Sequence, residues 1–352
     1  LTHSELLDGF LARYGAARAK LEPAIKAFTP ADLRAWCEGL GIETFVGSSG
    51  RVFPRQMKAS PLLRAWLARL GALGVTLVPR SRWTGWQDNA LVFDTPDGRR
   101  IERPDAAIFA LGGTSWPRLG SDGAWQAAFA ERGARIEPFR PSNSGFLVQW
   151  SDVFRERFAG QPVKPAGFLF APDFNSHSLR GEALITREGI EGGAIYALSA
   201  PLREFIARTG RAFLALDLAP NVTVEDLATR LGGDAKTSTA NRLRKAGLSP
   251  VAAGLVREGV GGPALPAEPM DLARRIKGCT LRLTSTTSID RAISTAGGIC
   301  WDSLNADYSL KSDPRTFVAG EMLDWEAPTG GYLLQACIAT GIAAARGVLM
   351  RG

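Results

Sequence analysis

The stretch Arg315-Thr316-Phe317-Val318-Ala319-Gly320-Glu321 has the pattern of an apolar strand that ends in a glycine and an acid. A short loop later, Thr329-Gly330-Gly331-Tyr332 opens a helical pattern through Leu333, Leu334, Ala336, Cys337, Thr340 and Gly341. A helix N-terminus carries unpaired N–H groups and the positive end of the helix dipole. Such an end stabilises an anion, or negative charge developing on a ring oxygen. The same pattern also describes a capped C-terminal helix packed on a sheet. A second group is Ala107-Ile108-Phe109-Ala110-Leu111-Gly112-Gly113, followed by Gly120-Ser121-Asp122-Gly123. In open α/β sheets ligands bind beyond the carboxyl ends of strands, and paired glycines let backbone come close to them. A plain strand-to-loop turn reads the same way. The third group, Thr295-Ala296-Gly297-Gly298-Ile299, fits a flat ligand lying on the backbone or a hinge.

Other chemistries lack their residues. There is no G-x-S-x-G elbow, P-loop or zinc-protease helix. With only His3 and His177, a His-rich metal site is implausible. His177 reads as an exposed loop residue rather than a base, and Asp122, Glu321 and Asp324 are candidate acids by position alone. No catalytic acid or base is assigned. Cys37, Cys279, Cys300 and Cys337 lie far apart, without metal-type spacing, which fits a reduced, cytoplasmic chain. The net charge is +7, and 34 of the 42 basic residues are arginines spread without a run of five. Nucleic-acid binding would need a clustered stripe or a known module. The charge reads first as a solvated, arginine-rich surface and next as a match for an anionic small molecule or cofactor, and the partner expected is a small-molecule substrate. No membrane partner is expected either, since no unbroken apolar run reaches about 18 residues. Nor does the opening read as a secretory leader.

The elements that must hold these groups follow from periodicity. Helices are expected over 4–40, with Thr29-Pro30 starting one of them, and again from Ser60-Pro61. Gly74-Val75-Thr76-Leu77-Val78 reads as a short buried strand, 83–103 as a hairpin turning at Asp97-Gly98, and 106–111 as a buried strand. After Pro141 the pattern becomes β-rich to 218, then helical over 221–262, then β again over 279–295. The α/β pattern returns at 296–352. This describes an α/β domain interrupted by an insertion.

Taken in order, these segments resemble the BaiN-like flavoproteins, FAD-dependent oxidoreductases that include enzymes described as aminoacetone oxidases. The resemblance rests on Gly50-Arg51-Val52-Phe53-Pro54 with Lys58-Ala59, Ala110-Leu111-Gly112-Gly113, and Gly120-Ser121-Asp122-Gly123. It continues through Gly181-Glu182-Ala183-Leu184-Ile185-Thr186 with Gly189-Ile190 and Gly192-Gly193, then Thr295-Ala296-Gly297-Gly298. Gly320-Glu321-Met322-Leu323-Asp324 and Thr329-Gly330-Gly331-Tyr332 complete it.

The resemblance implies a discontinuous, Rossmann-like FAD/NAD(P)-binding α/β domain over 1–145 and 294–352. An inserted β-rich domain would take 146–220 and 264–293, and a small helical domain 221–263. The implied cofactor is FAD, with NAD(P)H a candidate electron donor. The implied reaction moves a hydride between flavin N5 and a small organic substrate. A non-catalytic nucleotide-binding or scaffold protein that keeps the fold is the alternative. By resemblance, Trp83 meets the adenine through its backbone, and Gly112 and Gly113 lie on the adenosine and pyrophosphate side. Gly320 and Glu321 lie by the pyrophosphate and ribityl chain. Gly330, Gly331, Tyr332, Leu333 and Leu334 form the helix start at the pyrimidine edge. Thr2, His3, Arg51, Phe53, Gly297 and Gly298 surround the isoalloxazine. Two departures stand out. The family's first strand and G-x-G-x-x-G turn are absent from this sequence, so the chain reads as N-terminally truncated. The missing strand's neighbours are then expected to show unpaired edges, or an empty slot is expected beside the Phe317–Ala319 strand. Leu333 also stands where many relatives carry Asn.

Overall fold

In the computed structural model, residues 1–172, 177–232 and 237–351 are described. The chain forms two compact units, Leu1–Arg140 with Ser294–Gly352, and Pro141–Ile293. The fold class is the expected α/β.

In the first unit, helices occupy Leu7–Ala12, Arg18–Ala27 and Pro30–Gly39. The last starts where Thr29-Pro30 predicts it. The Thr29 hydroxyl accepts from the Asp32 N–H, and the Asp32 carboxylate accepts from the Thr29 N–H at 2.7 Å. Reciprocal caps of this kind satisfy two donors that the helix leaves free. A small antiparallel sheet places Thr2–His3 beside Arg51–Pro54, which in turn pairs with Thr44–Val46. The expected hairpin is a three-stranded meander, Arg82–Gln87, Ala90–Thr95 and Gly98–Glu102. Its Trp83 packs edge-on against Phe109 and Phe129, and Trp86 edge-on against Phe129 and tilted against Phe109.

The strand Thr316–Val318 pairs in parallel with Ala107–Phe109, Phe317 lying opposite Ile108. The two apolar strand patterns, far apart in sequence, therefore share one sheet. The slot expected beside Phe317–Ala319 is not there. The other edge of that strand is taken by the 308–310 turn, through Val318 N–H to the Tyr308 carbonyl (3.0 Å) and Leu310 N–H to the Thr316 carbonyl (2.8 Å). Among the described residues, the edge without a strand partner is the far side of Ala107–Phe109, where Ile108 is exposed.

The segment 74–78 also departs from expectation. The helix before it forms, over Ser60–Ala72, but buries none of its residues. Val75, Leu77 and Val78 are exposed and form no strand. Alternation of apolar residues makes a strand only where another edge supplies its hydrogen bonds, and none of the described residues does so here.

The helix Tyr332–Leu349 is the spine of this unit. By length and composition it is long and apolar enough to cross a membrane, although Gln335 and Arg346 interrupt its run. In the fold it buries Tyr332, Ala336, Ala339, Thr340, Ala344 and Gly347. Small residues allow this close packing: a Cβ at Gly347 would sit 2.4 Å from the Asp307 carbonyl oxygen. At Gly341, by contrast, a Cβ meets nothing within 4 Å. Gly341→Ala is therefore expected to stabilise the chain by roughly 0.5–1 kcal/mol through helix propensity alone. A rise in the urea midpoint checks this, and a fall would show that the helix face is more crowded than it looks.

The second unit is built on a six-stranded antiparallel sheet. Its strand order is Cys279–Leu283, Ala212–Asp217, Pro162–Phe170, His177–Ile185, Gly189–Glu191, Phe146–Leu147. Helices Asp152–Phe158, Ser199–Thr209, Val224–Leu231, Thr239–Lys245, Pro250–Glu258 and Pro269–Lys277 pack around one core with it. His177 opens a strand, paired with Phe170, rather than lying in a loop, and is exposed as expected. Asn175 and Ser176, read with it as a loop, lie outside the described residues.

Candidate functional site

The first unit brings the three glycine groups onto one carboxylate. Glu321 follows the Thr316–Val318 strand, and its Oε1 accepts the Thr295 N–H at 2.7 Å. The Gly113 N–H is a second backbone donor to the same carboxyl. Thr295 reciprocates through its hydroxyl, which accepts the Thr114 N–H at 3.0 Å. A Cβ at Gly113 would sit 2.4 Å from that hydroxyl oxygen, so only glycine fits there without displacing Thr295. Burial raises the Glu321 carboxyl above its ordinary range, and the two N–H donors offset only part of this. Residues 112–114, 295 and 320–321 thus form one cross-linked platform at the ends of two parallel strands.

Gly320 is pinned from both sides. Its N–H donates to the Thr340 hydroxyl at 3.0 Å, and its carbonyl accepts the Trp325 indole N–H at 2.9 Å. Gly112 accepts the Trp125 indole at 2.9 Å. Gly297 and Gly298 are both buried. A Cβ at Gly297 would lie 2.4 Å from the Pro138 carbonyl oxygen, and one at Gly298 the same distance from that of Met322. Backbone crowding already accounts for glycine at both positions.

The start of the Tyr332–Leu349 helix forms the second part of the site. Gly331 is its N-cap, at φ +100°, and no side chain caps the end. The first N–H groups of such a helix have no intrahelical acceptor. Gly331 rests on the N-terminal strand, where a Cβ would fall 2.6 Å from Thr2 Cα and 2.7 Å from its backbone N and C. Thr2 is wholly buried, and its hydroxyl has no partner. His3 stacks on the Tyr332 ring at 5.4 Å. The Glu5 N–H donates to His3 Nδ1 at 3.1 Å, so Nδ1 is an acceptor and Nε2 carries the proton toward the Ser49 carbonyl at 3.0 Å. The Tyr332 hydroxyl donates to Glu5, which also receives Arg13. Burial opposes charge on Glu5, but the Arg13 and Tyr332 hydrogen bonds outweigh it and lower its pKa. Burial, then the Glu5 carboxylate, raise that of Tyr332. Arg51 reaches the same loop, with Nη2 3.4 Å from the Thr329 hydroxyl. Phe53 pairs with Phe45 on the small sheet.

Not every expected residue joins these two groups. Trp83 sits in the aromatic cluster of Trp86, Phe109 and Phe129, and its buried indole N–H has no partner. The Ser121 hydroxyl, buried and also without a partner, lies 3.0 Å from where a Gly112 Cβ would be. Leu333 is partly buried and Leu334 is exposed. Asp122 is engaged by Arg82 (2.7 Å) and by the Ala124 N–H. Asp324 is raised by burial, then by Glu137. The residues that periodicity missed are Glu5, Arg13, Thr295 as an acceptor, and Thr340. Glu5, Thr295 and Thr340 work through partners distant in sequence, and Arg13 through Glu5, eight positions before it.

The family model of the HI0933-like protein Rossmann domain matches residues 1–347. The chain belongs to this family. The resemblance to BaiN-like flavoproteins is thereby borne out, and the chain is related to FAD-dependent oxidoreductases. A curated relative, the 3-dehydro-bile acid delta(4,6)-reductase of Clostridium scindens, is 24% identical over 348 residues. That match covers 93% of this chain and 82% of the relative. Among solved structures, a 3-ketosteroid delta1-dehydrogenase from Sterolibacterium denitrificans, in complex with 1,4-androstadiene-3,17-dione, aligns with a TM-score of 0.42 at 13% identity. It covers all of this chain and 72% of that one.

The residues of this family member fit a flavin on two observations. The helix N-terminus has no side-chain cap. The buried polar atoms without partners include Thr2 Oγ1, Trp83 Nε1 and Ser121 Oγ. Buried polar groups are nearly always satisfied in native proteins, and three such atoms on or beside the expected residues could be satisfied by a polar ligand.

Proposed function

We propose that this chain is an FAD-dependent oxidoreductase that moves a hydride between flavin N5 and a small organic substrate. The observation that carries this reading is the uncapped start of the Tyr332–Leu349 helix, pressed through Gly331 onto a buried Thr2 whose hydroxyl has no partner. When bound, FAD supplies the hydride chemistry, and the protein positions and tunes it. The chain's own residues do the rest. The free N–H groups at Tyr332, Leu333 and Leu334 would face the pyrimidine edge, where the dipole end favours negative charge. Thr2 would add a hydroxyl donor beside them. His3, held as the Nε2–H tautomer and stacked on Tyr332, would close that side. The Gly113–Thr295–Glu321 platform would hold the phosphate and ribityl side of the cofactor through its loops. Glu321 is a positioning residue in this reading, since its carboxylate is taken up by backbone donors. NAD(P)H is the proposed electron donor.

The test is retention of flavin. The purified chain, incubated with FAD and desalted, should keep a protein-bound flavin spectrum that NADH or NADPH bleaches without oxygen. A chain that keeps no flavin would overturn the reading. Bound flavin that dithionite bleaches but neither nicotinamide does would retain the cofactor and remove the proposed donor.

A further inference from the structure

The unit Pro141–Ile293 holds a cavity of about 820 Å³, a size typical of small-molecule sites. Phe154 and Phe158 of the Asp152–Phe158 helix line it, together with Leu243, Leu248 and Ala253 from the Thr239–Lys245 and Pro250–Glu258 region. Three arginines share this lining: Arg157, Arg244 and Arg257. Among the described residues, none of the three has a carboxylate partner. Arg157 lies over the Phe158 ring at 5.2 Å, and Arg244 reaches only the Asn241 side-chain oxygen at 3.4 Å. Arg257 is the least satisfied, because its Nη1 is buried with no hydrogen-bond partner at all. The one acid in the lining, Glu258, accepts both the N–H (2.8 Å) and the hydroxyl (2.7 Å) of Ser151.

A solvated arginine face would account for Arg157 and Arg244, but not for Arg257. A buried guanidinium N–H without an acceptor is costly. An anion or strong acceptor that enters the cavity would supply that partner if Arg257 turned to meet it. Guanidinium matches a carboxylate or a phosphate with two parallel bonds. The walls decide between them. A bare phosphate would leave the phenylalanine and leucine surface wet, whereas a hydrocarbon body covers it. We propose that this unit binds an amphipathic monocarboxylate, its carboxylate on Arg257 with Arg244 and Arg157 nearby, its apolar body between Phe154, Phe158 and Leu243.

Calorimetric titration of the full chain with decanoate, and in parallel with decanol, tests this. One decanoate per chain should bind, with decanol at least tenfold weaker. Arg257→Leu should weaken decanoate about ten- to hundred-fold, as loss of a charge-assisted bond does, and leave decanol within about twofold. Arg257→Lys, which keeps the charge but loses the fork, should fall between, and serves where the leucine variant does not fold. Inorganic phosphate should not compete. Decanoate binding that fails to saturate, that decanol matches, or that survives both Arg257 changes would overturn the proposal. So would displacement by phosphate.

Discussion

Gly331→Val is expected to lower both the stability of the chain and its hold on flavin. Two effects act on stability. The native φ of +100° lies where side-chain-bearing residues are strained, at roughly 1–2 kcal/mol. The new Cβ would also fall 2.6–2.7 Å from the Thr2 backbone, and backbone cannot swing aside as a side-chain tip can. Overpacking of this kind costs about 1–3 kcal/mol, so the sum is roughly 2–5 kcal/mol. Relief requires Thr2–His3 and the helix start to separate, which moves the N–H groups proposed to meet the flavin. Loss of one charge-assisted contact there costs about 1.5–3 kcal/mol, or ten- to hundred-fold in affinity. Urea unfolding reads the first effect, and FAD titration of the folded variant reads the second. A conservative change at the exposed His177 should leave flavin affinity within about twofold on the same arithmetic. Full flavin in Gly331→Val, with loss in the His177 variant, would show that the isoalloxazine has been placed wrongly.

How far the sequence could be read follows the range of the interactions. Local signals held. The Thr29-Pro30 start, the Asp97-Gly98 turn and the strand at Phe317 depend on residues a few positions apart, and each formed. The strand expected at 74–78 failed because pairing is decided by an edge elsewhere, and apolar alternation is silent about whether that edge exists. The slot beside Phe317–Ala319 is filled for the same reason: nothing local announces that the 308–310 turn folds back onto Thr316–Val318, and the unpaired edge is the one on Ala107–Phe109. The glycines show a subtler limit. Gly297 and Gly298 read as room for a flat ligand or as a hinge, and Gly331 as a helix start, whereas the crowding that requires glycine there comes from Pro138, Met322 and Thr2. Likewise the Tyr332–Glu5 bond joins residues 327 positions apart, so a helix start that reads as bare is in fact framed by the first residues of the chain.

Glu321 offers the sharpest test of the platform, because its carboxylate ties two distant loops to the strand end. Glu321→Ala would leave the Thr295 and Gly113 N–H groups without their acceptor, at about 1–3 kcal/mol each. Glu321→Gln keeps the shape and removes the titration. Burial raises the carboxyl above its ordinary value of 4.5, so the folded chain holds the proton more tightly than the unfolded chain. The stability this contributes is fully present below about pH 4.5 and is lost as pH rises through the folded value. The parent's advantage over the Gln variant should therefore be greatest on the acid side and shrink as pH increases. Paired urea titrations between about pH 4 and 8 measure that difference directly. A parent advantage that grows with pH would mean that the two N–H donors outweigh burial. Glu321 would then stand in the folded chain as a stabilised carboxylate, and the region beside it would repel the phosphates that the platform is proposed to receive.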